Sequence, residues 1–224
     1  MMKTSLFAQA ILKFSLGVVL VGLLLFLPSG TFAYPGGWRL MIILFVPMFL
    51  AGLVMLAKSP ELLEKRLNAK EKEREQDLVV KFSGLMFIAG FVVAGLDFRF
   101  GWLPLPDWIS WVAMGLFLLA YLLYAEVLRE NAYLSRTIEV QEGQKVVDTG
   151  LYGIVRHPMY AATLLLFLVM PLVLGSAIAL LVFLAYPLII AKRIRNEEQV
   201  LAKGLDGYTA YMEKVKYRLI PFIW

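Results

Sequence analysis

Two short polar stretches hold the residues best suited to chemistry. The first runs Gly150-Leu151-Tyr152-Gly153-Ile154-Val155-Arg156-His157-Pro158-Met159-Tyr160, and the second runs Lys192-Arg193-Ile194-Arg195-Asn196-Glu197-Glu198. Arg193 and Glu197 are four residues apart and share a helix face. His157 precedes a proline, which biases it to extended backbone and lets a helix start at Pro158. The free N–H groups of a helix N-terminus suit a carboxylate. Glu197 or Glu198 can accept hydrogen bonds from ribose hydroxyls or an amine. Together these groups suit a charged small-molecule cofactor. Taken singly, each has a plainer reading: His-Pro as a helix cap, the glutamate pair as solvated charge, the arginines as head-group anchors. The chain has no cysteine and one histidine, His157. Disulfides, a cysteine nucleophile and a multi-histidine metal site are therefore excluded, and no metal is expected.

The elements that must position these groups are read from hydropathy. Of the 224 residues, 60% are hydrophobic and 17% charged, too few charges for an ordinary soluble domain. Ile11–Leu27 is apolar apart from Lys13, Leu40–Ala57 is uncharged, Leu78–Leu96 is interrupted by Lys81 alone, and Trp108–Ala125 is uncharged. Each is close to the ~20 residues that cross ~30 Å of hydrocarbon, so four spans are expected. Thr31-Phe32-Ala33 has the small residues of a signal-peptide cleavage site. The charge-poor start and the span that follows directly favour a retained helix.

A fifth apolar run, Pro158–Ala191, is uncharged and would be roughly 50 Å long as one straight helix. Pro171, Gly175 and Ser176 stand at its middle, where they predict a turn. The reading is a hairpin, Met159–Leu174 out and Ser176–Ala191 back. A hairpin returns the chain to its starting side, so Tyr152–Tyr160 and Arg193–Glu198 must lie side by side. Beyond Lys192, the residues Ile194, Leu201, Leu205, Tyr208, Met212 and Val215 recur at helical spacing. They predict an amphipathic helix weakened at Gly204 and Gly207. The tail Leu219-Ile220-Pro221-Phe222-Ile223-Trp224 suits a membrane interface.

The fold class is thus an all-α integral membrane protein with about six membrane helices. Residues 1–130 would hold the four spans and residues 131–224 the catalytic region. The net charge is +5, with the basic residues gathered at the edges of the apolar runs. That pattern reports topology, not nucleic acid. The Lys58–Lys81 loop carries seven basic residues, whereas Pro28–Arg39 and Asp97–Asp107 carry one each. The positive-inside rule makes that loop, both termini and both polar stretches cytoplasmic, in an inner, plasma or endomembrane. The alternating charges of Glu61–Asp77 suit a solvated or interfacial helix.

Tyr152…Arg156-His157-Pro158-Met159-Tyr160, then the apolar hairpin, then Arg193…Glu197-Glu198…Tyr208…Tyr211, resembles the isoprenylcysteine carboxyl methyltransferase family, which is related to the membrane phospholipid methyltransferases. The resemblance covers Asn131 to Trp224. It implies bound S-adenosyl-L-methionine. By position, Tyr152, His157, Pro158, Met159 and Tyr160 would line the cofactor pocket, and Gln144-Lys145-Val146-Val147 would add contacts, much of them through backbone. Gln141 matches more loosely. Glu197 would bind the cofactor, with Glu198 the alternative one residue on. Arg193 would face the substrate and, in a carboxyl methyltransferase, hold its carboxylate. An amine acceptor would have to lose a proton, for which His157 or a glutamate is the candidate. Ala162 stands where many members have glycine, which bears on helix packing. The implied partner is a lipid or lipidated acceptor entering from the bilayer.

Two other readings are weighed. A sterol-reductase-like membrane enzyme of the same superfamily shares the hairpin but uses a nicotinamide cofactor. A transporter usually places ionisable residues inside its spans, whereas here they gather at one rim.

Overall fold

The computed structural model describes residues 2–67, 74–134 and 140–224. Within them run α1 (Met2–Ser29), α2 (Pro35–Lys58), α3 (Pro60–Leu67), α4 (Arg74–Phe100) and α5 (Asp107–Glu130). A 3₁₀ turn (Gly150–Gly153) precedes α6 (Pro158–Val173), α7 (Ala177–Phe183), α8 (Tyr186–Gly204) and α9 (Tyr208–Lys214). The protein is an all-α, multi-pass membrane protein. Five helical segments are long and apolar enough to cross a bilayer, α7 and α8 counting as one, and α6 is a shorter apolar sixth. The four N-terminal spans are longer than their apolar runs, because helical hydrogen bonding continues past the hydrocarbon edge. The charged segment Glu61–Asp77 is helical at Pro60–Leu67, and residues 68–73 lie outside the described residues.

Apolar side chains face both ways. Leu12, Leu122 and Leu188 stand outward, at 61%, 68% and 76% exposure, as a lipid-facing surface requires. Leu25, Leu40, Phe117, Phe183 and Ile194 face inward in one continuous core. Ala113, Phe117 and Ala120 form one buried stripe of α5, packed on α6. The small residues let the two backbones approach. Ala162, where a glycine would be smaller, is fully buried in α6 without interrupting it. The core crosses the junction at Glu130, so the four N-terminal spans and the C-terminal region pack as one body.

The hairpin forms as the sequence predicts. Its turn is Leu174-Gly175-Ser176, with Gly175 at φ +76°, a conformation a side chain disfavours. The last carbonyls of a helix lack intrahelical partners, and those of α6 are collected by side chains of other spans. Tyr34 donates its hydroxyl to Leu174 O at 2.8 Å, and Ser110 donates Oγ to Val173 O at 2.5 Å. Asp97 accepts from Ser176 Oγ at 2.5 Å and from Leu103 N at 2.7 Å. Ser176 Oγ in turn caps α7, accepting from Ala179 N. The N-terminal spans therefore grip the hairpin by its tip.

Two details depart from the sequence reading. The returning arm is not one helix over Ser176–Ala191. It breaks between Phe183 and Tyr186, because Pro187 has no N–H and its ring would clash with the Phe183 carbonyl of a continuous helix. The amphipathic helix is likewise divided. Its first part is the end of α8, which runs unbroken past Lys192 to Gly204. Gly207, at φ +83°, turns the chain, and the rest is α9.

Asp97 is 1% exposed and serves two donors. Asp97→Ala strands both, so a loss of about 1–3 kcal/mol is expected. Thermal unfolding in detergent checks this, and an unshifted melting temperature would refute the clamp.

Candidate functional site

At the end of the hairpin away from its tip, the two polar stretches meet. Arg156 N donates to Tyr217 O and His157 N to Arg218 O, each at 2.9 Å. The C-terminal segment is thus pinned beside the start of α6. It is folded back on itself, with Trp224 O accepting from the N–H groups of Arg218, Leu219 and Ile220.

Glu198 lies at the centre of this junction. Arg156 Nε reaches its Oε1 at 2.7 Å, Arg218 Nε reaches Oε2 at 2.8 Å, and His157 Nε2 lies 3.3 Å from Oε1. Arg156 also donates to the carbonyls of Val215 and Lys216, at 2.7 and 2.9 Å. Glu198, Arg156 and His157 are each under 10% exposed. Charges so buried persist only when paired and hydrogen-bonded, and this carboxylate has both oxygens engaged by cations.

Glu197 points elsewhere. The next residue on a helix is turned about 100°, and Glu197 faces a cleft enclosing about 780 Å³ of empty space, part of it open to solvent. Tyr160 donates its hydroxyl to Glu197 Oε2 at 2.5 Å and accepts from Arg193 Nε at 2.9 Å. The Tyr160 and His157 rings stack at 5.7 Å. Gln144, Lys145, Val146, Val147, Tyr152, His157, Pro158, Met159 and Tyr160 also line the cleft.

Three residues expected at the cofactor or substrate stand outside its lining. Glu198 belongs to the buried ion cluster. Gln141 braces the loop: its Nε2 donates to Tyr133 O at 2.5 Å, and its N–H donates to Gln144 Oε1 at 2.8 Å. Arg193 stands behind Tyr160, touching the cleft through that phenol.

Other walls were not foreseen as such. Tyr208 and Tyr211 close the cleft with Leu201 and Leu205. Leu201, Leu205 and Tyr208 belong to the amphipathic periodicity and Tyr208 and Tyr211 to the motif of the resemblance, but neither assigns them to the cleft. Asn131 and Tyr133 enter from the end of α5, and Arg218 joins the ion cluster; no spacing pattern signals these. Tyr152 is held by Asn131 Nδ2 on its hydroxyl at 2.9 Å, and its carbonyl accepts from the Tyr211 hydroxyl at 2.7 Å. Burial pushes the Tyr152 phenol up to about 12, against the opposing hydrogen bond from Asn131. Burial likewise raises Tyr208 and Tyr211, so all three are neutral donors at physiological pH. Among the described residues, the Tyr208 hydroxyl is buried with no protein partner. At the rim, Lys214 bonds Asp148 and holds its carboxyl below the usual range.

The fold and site define a helical membrane protein with a polar cleft at one end of its bundle. Residues 101–203 match the isoprenylcysteine carboxyl methyltransferase family. The chain is also similar to the Delta(14)-sterol reductase of Mus musculus, at 31% identity over 91 residues. That likeness covers 39% of this chain and 22% of the reductase, about a fifth of its length.

The two glutamates should separate experimentally. Glu198→Ala leaves Arg156 and Arg218 facing a buried gap, an expected loss of about 3–5 kcal/mol. Glu197→Ala strands only the Tyr160 hydroxyl, an expected loss of about 1–2 kcal/mol. Unfolding curves of both variants in one detergent test this; equal destabilisation would contradict the division of roles.

Proposed function

We propose that the protein is an S-adenosylmethionine-dependent methyltransferase acting on a lipid or lipidated acceptor, by its family a carboxyl O-methyltransferase. The observation that carries this is the cleft, which Glu197, Lys145 and Tyr208 line together, with the Tyr208 hydroxyl buried and unpartnered among the described residues. This donor set fits the cofactor. Glu197 can accept from ribose hydroxyls or the ammonium, Tyr208 can bond a polar group, and Lys145 can meet the carboxylate. Bound there, S-adenosylmethionine supplies a methyl group already activated by its sulfonium sulfur.

The remaining work falls to the chain. Tyr160 couples Glu197 to Arg193, so the residue proposed to hold the donor and the one proposed to orient the acceptor share a single hydroxyl. A carboxylate acceptor needs orientation by a cation such as Arg193 and no general base. An amine acceptor would give its proton to His157 or Glu197. The aromatic and aliphatic walls, Tyr208, Tyr211, Leu201 and Leu205, exclude water from the reacting groups. The basic Lys58–Lys81 segment argues that this face is cytoplasmic, so the cofactor arrives from the cytosol and the acceptor from the bilayer.

The sterol-reductase likeness supports a second reading, a nicotinamide-dependent reductase. The cleft weighs against it: of its cations, Arg156 is committed to Glu198, and a dinucleotide's phosphates call for more than Lys145.

Calorimetry on the purified protein in detergent should show S-adenosylmethionine binding and no competition by NADPH. Glu197→Ala should weaken that binding about tenfold or more, the worth of a charge-assisted hydrogen bond. Arg193→Ala should retain binding and lose roughly 100-fold in methyl transfer from labelled donor. Binding of NADPH in place of the methyl donor would favour the reductase.

A further inference from the structure

Five tyrosines line the cleft: Tyr133, Tyr152, Tyr160, Tyr208 and Tyr211. A phenol has one proton to donate and lone pairs to accept, so its protein partners decide what it can offer a ligand. Three have spent the proton inside the protein. Tyr133 donates to Gly143 O, Tyr160 to Glu197 and Tyr211 to Tyr152 O. Tyr208 has no hydrogen-bond partner among the described residues. Tyr152 differs from all of these, because its hydroxyl is held from the accepting side, by Asn131 Nδ2 at 2.9 Å. The other end of the same amide fixes the direction of that bond. Asn131 Oδ1 accepts from Tyr133 N at 3.0 Å, and a backbone N–H can only donate. The amide oxygen therefore faces Tyr133, and the amide NH2 faces Tyr152. Tyr152 is also held in place along its backbone. Its carbonyl accepts from Tyr211, and its 3₁₀ turn is fastened to α5 by Glu130, whose Oε2 accepts from Leu151 N at 3.1 Å. Gly150 leaves room for that carboxylate, since a Cβ there would overlap it.

We propose that Asn131 is a positioning residue that makes Tyr152 a one-way hydrogen-bond donor into the cleft, so that the ligand atom placed there is an acceptor, a ring nitrogen or a carboxylate oxygen. The assignment rests on the methyl-transfer reading, in which the ligand is S-adenosylmethionine. That molecule carries both kinds of acceptor, one on its base and one at its amino-acid end, and an ammonium that can only donate. With the lone pairs of Tyr152 engaged by Asn131, its proton is what remains for the ligand. The cleft then has opposite poles, with Glu197 accepting and Tyr152 donating. A ligand with a donor at one end and an acceptor at the other satisfies both poles in one orientation. The reverse orientation strands both, and an unmade buried hydrogen bond costs more than a made one gains. The amide that caps α5 thus sets the polarity of the cleft wall.

Asn131→Asp tests this. It keeps the size and the bond to Tyr133 N but reverses the bond to Tyr152, because a carboxylate only accepts. Calorimetry on the full chain in detergent should show S-adenosylmethionine binding about tenfold weaker in Asn131→Asp and in Tyr152→Phe, the worth of one hydrogen bond. Added in the Tyr152→Phe background, Asn131→Asp should cost less than about threefold more, which subtracts the effect of the new charge. Melting temperatures confirm that each variant is folded. Raman spectra of the ligand-free protein read the bond itself. The Tyr152 doublet, isolated by subtracting the matching Tyr152→Phe spectrum, should show the intensity pattern of an accepting phenol in wild type and of a donating phenol in Asn131→Asp. Methylthioadenosine, which lacks the amino-acid end, tells the two ligand acceptors apart. A loss of about tenfold in Tyr152→Phe with this probe too would uphold the proposal with the acceptor on the nucleoside, and no loss would uphold it with the carboxylate. S-adenosylmethionine binding unchanged in Tyr152→Phe, or equal losses from Asn131→Asp with and without the Tyr152 hydroxyl, would overturn the proposal. The Tyr152→Phe result and the wild-type spectrum decide it even where Asn131→Asp fails to fold. Wild type with the accepting pattern that binds no methyl donor would overturn the ligand assignment through failure of the methyl-transfer reading. Wild type that binds the methyl donor but shows a donating phenol would overturn the role of Asn131 alone.

Discussion

The buried carboxylate of Glu198 is the point on which the site depends. It draws Arg156 and His157 from the start of α6, and Arg218 from the C-terminal segment, onto one residue of α8. Glu198 and Arg156 are not stable alone at such burial, and each is compensated by the other, with the more exposed Arg218 closing the second oxygen. The cluster therefore fixes the rotation of α8 about its axis. That rotation turns the neighbouring Glu197 toward the cleft. A one-residue difference on a helix separates a structural charge from a group open to a ligand.

The bilayer imposes the second constraint. Lipid offers no hydrogen bonds, so every backbone group at depth must be satisfied within the protein. The hairpin turn is the vulnerable place, and Tyr34, Asp97 and Ser110 close it from three separate elements. Outside the matched residues 101–203, the start of α2 and the end of α4 hold the tip of the hairpin through Tyr34 and Asp97. The break at Pro187 gives the returning arm a bend between its apolar and charged parts. The bend is tolerated because α7 is packed on α4, where Phe183 meets Phe87 and Phe91.

The site is layered from rigid to open. His157, Arg156 and Glu198 form a buried base. Tyr160 and Glu197 form the floor of the cleft, and Tyr208 with Tyr211 form a wall supplied by α9. Asn131, Tyr133 and Leu134 line the remaining side together with residues 144–147, which Gln141 braces. These segments are anchored by packing: Val140 and Val146 lie against the cluster of Leu205, Tyr208, Tyr211 and Val215, and Val147 lies against that of Val127, Leu134 and Tyr152.

The sequence by itself determined the membrane class, the spans, the hairpin and the convergence of Tyr152–Tyr160 with Arg193–Glu198. These follow from run length, from Pro171 and Gly175, and from the fact that a hairpin returns to its origin. Such properties are local and additive along the chain, so hydropathy and turn chemistry suffice to read them. Tertiary structure alone decided which glutamate faces the cleft, because helix rotation is set by packing partners and both residues carry the same charge. It likewise decided that Tyr208 and Tyr211 line the cleft, since apolar periodicity marks a buried face without naming what covers it. Arg218 was beyond sequence reading because it pairs with Glu198 on another helix, and such pairing leaves no trace in spacing.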